Sequence, residues 1–206
     1  SRWIDGVLEK NENIDQDSNL RAVVYWGMAP NSQIRGLEMV EAMKKLDMLV
    51  VIDPYPSATA AMAAMMRKDG VYLLPACTQF ETSGSRTASN RSLQWGEKVI
   101  EPLFESKPDH TLMYAFAKKF GFEKELVKNI KLIKDKQGWD EPEIEDILRE
   151  INKGCWTIGY TGQSPERLKL HMQNMHTFDV KTLKANGGPC DGDYFGLPWP
   201  CYGTPE

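Results

Sequence analysis

The chain has 206 residues, 41% of them hydrophobic and 26% charged, with a formal net charge of −4. That is an ordinary globular composition, with enough chain to bury a sizeable core in one large or two small domains. An acidic chain argues against a nucleic-acid or anionic-membrane surface, and no apolar run approaches the roughly 20 residues that span a bilayer.

Ser1 to Asn19 is polar and acidic after Trp3 and Ile4, and suits a short lead-in helix or a linker. Arg21 to Trp26 reads as a buried strand, a short apolar run with a turn signal behind it. Gly27 permits a tight or left-handed turn, and Pro30 and Asn31 continue the loop. From about Gly36 to Leu46, Leu37, Val40 and Met43 recur at helical spacing, with Glu38 and Glu41 early and Lys44 and Lys45 late, as the helix dipole favours. Leu49 to Ile52 is a second buried strand, and Asp53 falls at its carboxyl end. Two apolar strands joined through an amphipathic helix make a βαβ unit, so the strands should be parallel. Pro54 and Pro56 keep the next turn extended, Ser57 is a plausible N-cap, and Ala58 to Arg67 is an Ala- and Met-rich helix. Asp69-Gly70 ends it, and Val71 to Leu74 is the third strand, closed by Pro75.

Cys77 to Trp95 is rich in small polar residues and reads as a long functional loop anchored by Phe80, Leu93 and Trp95. Beyond Val99 the pattern turns helical: Thr111 to Phe120, Lys124 to Ile133, Pro142 to Ile151, and Pro165 to Met175 with Ser164 as its N-cap. The tail from Asn186 to Glu206 is full of Gly, Pro and aromatic residues, and regular structure is not expected there. The expected fold class is therefore α/β: a three-layer αβα Rossmann-like domain with a mainly parallel sheet, plus a helical insertion and an irregular tail. The expected boundaries are 1–107 for the α/β core, 108–176 for the helical part and 177–206 for the tail.

The chemistry concentrates at two strand-to-helix junctions, Ala22-Val-Val-Tyr-Trp-Gly-Met-Ala-Pro-Asn-Ser-Gln33 and Leu49-Val-Val-Ile-Asp-Pro-Tyr-Pro-Ser-Ala-Thr-Ala60. In an open α/β sheet, ligands sit where such strands end. A loop entering a helix offers backbone N–H groups and a positive dipole end to a phosphate, a role that fits Gly27, Asn31 and Ser32. A carboxylate such as Asp53 accepts two hydrogen bonds from a ribose diol or a guanine N–H edge. The plainer reading is that Asp53 caps the next helix and Asn31 makes a turn. No G-x-G-x-x-G is present, so a nicotinamide fingerprint is absent.

Cys77, Cys155, Cys190 and Cys201 are far apart without a C-x-x-C pair, so the chain shows no zinc or iron–sulfur framework. His171 and His176 are five apart, wrong for two ligands on one helical face. These two and His110 are expected to be structural or solvated. Cys77 has no base near it in sequence and is expected to be a small buried side chain. No catalytic residue and no metal ligand is expected in this chain.

Leu49 to Ala60, then Tyr72-Leu-Leu-Pro-Ala76, then Glu81, Gly84 and Asn90-Arg91 form a pattern. It resembles the molybdopterin oxidoreductases of the DMSO-reductase superfamily, whose usual version is strand-Asp, Thr-x-Thr-Ala, a Val-Leu-Pro strand, and Glu-x-x-Gly-Thr-x-x-Asn. Ser57 stands where that family has Thr, and the third loop is longer. The runs 81–95 and 192–206 are similar to the major subunit of respiratory formate dehydrogenases. The resemblance implies molybdenum or tungsten held between two molybdopterin guanine dinucleotides, each cradled by one of two related α/β domains, with this chain similar to the second. By position it implies Asp53 at the guanine or ribose end and Gly27, Asn31 and Ser32 along the nucleotide and phosphate path, with Ser57 helping. Thr82, Gly84 and Asn90 would approach from the third loop.

The family's cysteine motif for a 4Fe-4S cluster, its metal-ligating selenocysteine or cysteine, and its C-terminal barrel are not in these residues. The lack of an initiator Met at Ser1 and the stop at Thr204-Pro-Glu206 suggest a piece of a longer polypeptide. Such a piece is expected to be inactive alone and to keep no cofactor by itself. The resemblance further implies formate as substrate, iron–sulfur and membrane cytochrome subunits as partners beside the rest of its own subunit, and a periplasmic, membrane-associated location. The rival reading is a stand-alone nucleotide-binding or protein-interaction module with a helical appendage.

Overall fold

A computed structural model of the chain describes residues 2–28, 35–89, 92–154 and 164–196. The chain divides into two compact units: residues 1–77 with 103–107, and residues 78–102 with 108–206.

The first unit opens with two short helices, α1 (Arg2–Leu8) and α2 (Asn11–Ile14). It then alternates β1 (Ala22–Trp26), α3 (Gly36–Lys45), β2 (Met48–Asp53), α4 (Ala58–Met66) and β3 (Tyr72–Pro75). The strands form one sheet in the order β1-β2-β3, parallel throughout, as the two βαβ units require. β2 is central, which explains why Leu49 to Ile52 are all apolar and buried: a strand paired on both edges within an α/β unit has little use for polar side chains. β1 is less buried than its sequence suggests, with Val24 42% exposed, because it lies at the edge of the described sheet. Residues 103–107 return beside β3, where Lys107 N donates to Pro75 O (3.1 Å) and Cys77 N to Lys107 O (2.9 Å).

The core of this unit joins Ile4 and Val7 of α1, Met39, Ala42 and Met43 of α3, and Ala60 and Ala63 of α4 to Tyr25, Leu49 and Val51. These sheet residues alternate along their strands, so one face of the sheet carries the helices. Each large apolar side chain fully buried this way contributes about 1.5–3 kcal/mol. One buried cation stitches the helix ends together. Arg67, just past α4, donates to Leu46 O (2.8 Å), Gly70 O (2.7 Å) and the Met43 carbonyl, which are carbonyls at and beyond the end of α3 and in the turn before β3.

The second unit begins where a long loop was expected. It contains instead an antiparallel hairpin, β4 (Gly84–Thr87) and β5 (Leu93–Gly96), paired from Gly84↔Gly96 to Thr87↔Leu93. Helix α5 (Asp109–Phe120) follows and ends at Gly121, whose φ of 81° makes the left-handed cap. The helix expected over Lys124 to Ile133 is not there. A single turn, α6 (Glu123–Leu126), gives way to a second hairpin, β6 (Leu132–Lys134) and β7 (Asp140–Pro142). The helix expected to start at Pro142 is α7 (Ile144–Gly154). α8 (Pro165–Gln173) starts as the sequence indicates, with Ser164 Oγ accepting from Arg167 N (3.2 Å) and proline in its first turn.

Trp95 and Leu93 of β5 pack with Leu148 of α7 and Leu168 of α8 to form this unit's core. After two short 3-10 turns, Met175–Thr177 and Gly188–Cys190, the tail up to Gly196 carries only isolated bridges, in keeping with its Gly- and Pro-rich sequence. The mixed α/β class with a parallel sheet is as the sequence implied.

Candidate functional site

Parallel pairing places the carboxyl ends of β1 and β2 side by side. Trp26 is registered with Ile52, Gly27 N donates to Ile52 O (2.9 Å), and Asp53 is registered with Pro75. Gly27 and Asp53, 26 positions apart in sequence, therefore share one sheet edge. Gly27 has φ +59°, a backbone conformation that costs other residues roughly 1–2 kcal/mol. A Cβ built there would meet nothing within 4 Å among the described residues.

Asp53 is half-buried, and its Oδ1 accepts from Tyr55 N (3.0 Å), the Asx-turn that starts the run into α4. Its Oδ2 has no partner among the described residues. The helix-capping role left open for Asp53 belongs instead to Ser57, whose Oγ accepts from Ala60 N (3.3 Å). Among the described residues the edge thus presents an unpartnered carboxylate oxygen, an uncrowded glycine turn, and the N-terminal end of a nine-residue helix. Asn31 and Ser32 lie outside the described residues.

Thr82 and Gly84 belong to the second unit, and Asn90 lies outside the described residues. Gly84 opens β4 and is buried, with φ +153°. Thr82 sits in the loop before it, where its hydroxyl donates to Ser83 O (3.2 Å). Glu81, given no role from the sequence, is only 3% exposed, and its carboxylate accepts from Thr78 N (2.6 Å). A buried carboxylate holding a loop amide is a structural pin, and a Glu beside a Gly and small polar residues is the signal that could have shown it.

Elsewhere, several titratable groups are engaged in structure. His171 is fully buried; Gly196 N donates to its Nδ1 (3.1 Å), so Nε2 carries the proton and donates to Asp193 Oδ2 (3.1 Å). Burial pushes this imidazole below the ordinary histidine value, and Asp193 pulls it the other way. Cys190 is buried, and burial pushes its thiol up, which keeps it an unreactive neutral group. His110 pairs with Glu141 (3.2 Å), and Cys77 is buried as expected. Among the described residues no group of three or more His, Cys, Asp or Glu could hold a metal ion, and no helix is long and apolar enough to cross a membrane.

The Gly27–Asp53 edge suits a nucleotide-bearing cofactor: a free anionic acceptor for an N–H or diol edge, beside a helix N-terminus for negative charge. Comparison with known proteins bears on which one. The molybdopterin oxidoreductase family model matches residues 6–119, a stretch that includes both the Gly27–Asp53 edge and the third loop. The chain is 28% identical over 169 residues to a trimethylamine-N-oxide reductase of Vibrio cholerae, covering 77% of this chain and 19% of that protein. It is 31% identical over 154 residues to a provisionally assigned formate dehydrogenase of Staphylococcus aureus, covering 74% and 13%. A dimethyl sulfoxide/trimethylamine N-oxide reductase of Rhodobacter capsulatus is 29% identical over 119 residues, covering 56% and 13%. The chain spans less than a fifth of the length of these curated relatives.

Proposed function

This chain belongs to the molybdopterin oxidoreductase family, and from that premise we propose that it is the α/β part of a formate dehydrogenase major subunit that grips one guanine dinucleotide of the cofactor. The observation that carries the reading is the Gly27–Asp53 pair on one sheet edge, with Asp53 Oδ2 left without a partner among the described residues. Asp53 accepts the guanine N–H edge or the ribose diol there, since an ionised carboxylate is an acceptor only. Gly27 lets the main chain approach the ligand, and α4, capped by Ser57, turns its positive end toward negative charge. Asn31, Ser32 and Asn90 join the proposal by sequence position, and Thr82 and Gly84 by their place in the third loop. When bound, the cofactor supplies a two-electron redox centre, which formate oxidation to carbon dioxide and a proton requires.

Formate is preferred as substrate because the runs 81–95 and 192–206 resemble formate dehydrogenases, and because one relative carries that name. The rival, an N-oxide reductase, is favoured by the similarity to the Vibrio cholerae protein. The proposal extends to an iron–sulfur cluster elsewhere in the same subunit, to iron–sulfur and cytochrome partner subunits, and to a periplasmic, membrane-associated location.

Two experiments test it. In a GDP titration of the 206-residue chain followed by NMR, the amides of Gly27, Asp53 and Tyr55 should move first; shifts confined to other residues would remove the cradle. Formate-driven dye reduction by the longer parent polypeptide, without N-oxide-driven dye oxidation, decides the substrate. Turnover by the 206-residue chain alone would contradict its role as one half of a grip.

A further inference from the structure

Residues 78–83 form neither strand nor helix, yet most of their carbonyls are engaged. Glu81 N donates to Thr78 O (3.1 Å), and Val99 N and Ile100 N donate to Phe80 O (2.8 and 3.0 Å). Two further carbonyls are gathered by one side chain: Arg86 Nη2 donates to Gln79 O (2.6 Å) and to Thr82 O (3.3 Å). The amides of Gln79, Phe80, Thr82 and Ser83, in contrast, have no hydrogen-bond partner among the described residues.

Gly96 makes the seat for this guanidinium. In the hairpin Arg86 is registered with Gln94, so Gly96 lies two residues along the facing strand, on the same face. A Cβ on Gly96 would fall 2.5 Å from Arg86 Nη1 and 2.7 Å from Cζ. Gly96 does not have a positive φ, so what the position requires is room rather than backbone freedom. The planar guanidinium lies against the bare Cα, and from there a single nitrogen reaches both carbonyls, a geometry a lysine ammonium reproduces only in part.

We propose that Arg86, seated on Gly96, is a positioning residue that holds loop 78–83 by its carbonyls and so keeps the loop's amides available to an anionic group of the ligand. This rests on the reading of Thr82 and Gly84 as facing the cofactor. Successive main-chain amides without internal partners recognise anions, and a dinucleotide brings a pyrophosphate. Arg86 itself acts through the loop, not by touching the ligand.

The test is NMR on the 206-residue chain as wild type, Arg86→Gln, Arg86→Lys and Gly96→Ala. Amide exchange is read at Glu81, Val99 and Ile100, and inorganic pyrophosphate is titrated while the Gln79, Phe80, Thr82 and Ser83 amides are followed. Arg86→Gln and Gly96→Ala should each speed exchange at those three amides by about tenfold or more, leaving β1–β3 unchanged, and weaken pyrophosphate binding by a similar factor. Gly96→Ala is the cleaner variant, because it displaces the guanidinium without removing its charge. Arg86→Lys should recover part of the loss. Unchanged exchange in both variants overturns the proposal, as does a loosened loop that binds pyrophosphate as well as before, or a wild-type loop whose amides pyrophosphate does not move. A failure of the cofactor reading itself shows separately, as GDP shifts missing from Gly27 and Asp53, and leaves the exchange rates untouched.

Discussion

Gly27 and Asp53 are fixed by the ladder of a parallel sheet, whereas Thr82 sits in a loop held largely by side chains that reach its main chain. At the first edge, backbone bonds such as Gly27 N to Ile52 O (2.9 Å) and Ala76 N to Asp53 O (3.2 Å) set the geometry, over a core of Leu49, Val51 and Tyr25. In the loop, the Glu81 carboxylate, the Arg86 guanidinium and the Ser83 hydroxyl, which accepts from Lys98 N (2.9 Å), do the same task. A ladder shares its cooperativity among many bonds, so one polar substitution leaves it in place. Loop 78–83 has few bonds, several of them made by single side chains, and should loosen when one of those is lost. One unit thus carries a rigid edge and the other an adjustable loop.

The largest expected effect attacks the rigid unit through the buried Arg67. Arg67→Ala leaves the carbonyls of Leu46, Met43 and Gly70 without their donor and should lower the stability of the first unit by about 2–4 kcal/mol in a urea titration. A loss under about 1 kcal/mol would mean that the ladder and apolar core hold α3 and α4 alone.

Next is Gly196→Ala in the second unit. The new Cβ would sit 2.6 Å from Leu93 O in a backbone with φ +62°, and should cost about 2–3 kcal/mol. Faster exchange of the Leu93 amide, which donates to Gly196 O (2.6 Å), reads this locally, and an unchanged rate would show that the tail is not tied to β5.

Smaller is Ser57→Ala, which removes the cap of α4 and should cost about 1 kcal/mol. If the ladder fixes the edge, the Gly27 and Asp53 amide shifts stay where they are; if they move, the edge depends on its helix.

The smallest is a pH effect confined to the second unit. His171 has its folded pKa depressed by burial, so its contribution is fully present above the ordinary value of 6.5 and is lost as pH falls through the lower folded value. Protonation would also set a second N–H against Gly196 N, which now donates to Nδ1. Thermal melts should therefore show the second unit weakening between pH 7 and 5, and His171→Gln should flatten that slope. Carboxylates held low by their partners, such as Asp140 beside Lys134, add their losses only further into acid.

The sequence made the rigid unit legible and the pinned one much less so. Runs such as Leu49 to Ile52, broken by Asp53-Pro54, leave few alternatives to a buried parallel strand, and parallel strands bring their ends together whatever the loops do. Gly84-Ser-Arg-Thr87 has no such pattern: its pairing with Leu93 to Gly96 depends on Trp95 and Leu93 packing against α7 and α8, which no local window shows. The hairpin of β6 and β7 was hidden by apolar residues that happened to continue a helical period beyond Leu126. Its turn was nonetheless written in Asp135 and Gly138, where Asp135 Oδ1 accepts from Gln137 N (2.9 Å) and Trp139 N (2.7 Å), and Gly138 has φ +84°. Asp53 was legible as a site candidate from its place at a strand end. Arg86 was not, because its role depends on a glycine ten residues later in sequence.

The central claim is that Asp53 takes the nucleoside end of a guanine dinucleotide, and calorimetric titration of GDP into wild-type and Asp53→Ala chains tests it most directly. A charged acceptor lost from a paired N–H edge should weaken binding by about 1.5–3 kcal/mol, while Ser57→Ala changes it far less. Equal GDP affinity in the wild-type and Asp53→Ala chains would contradict the account.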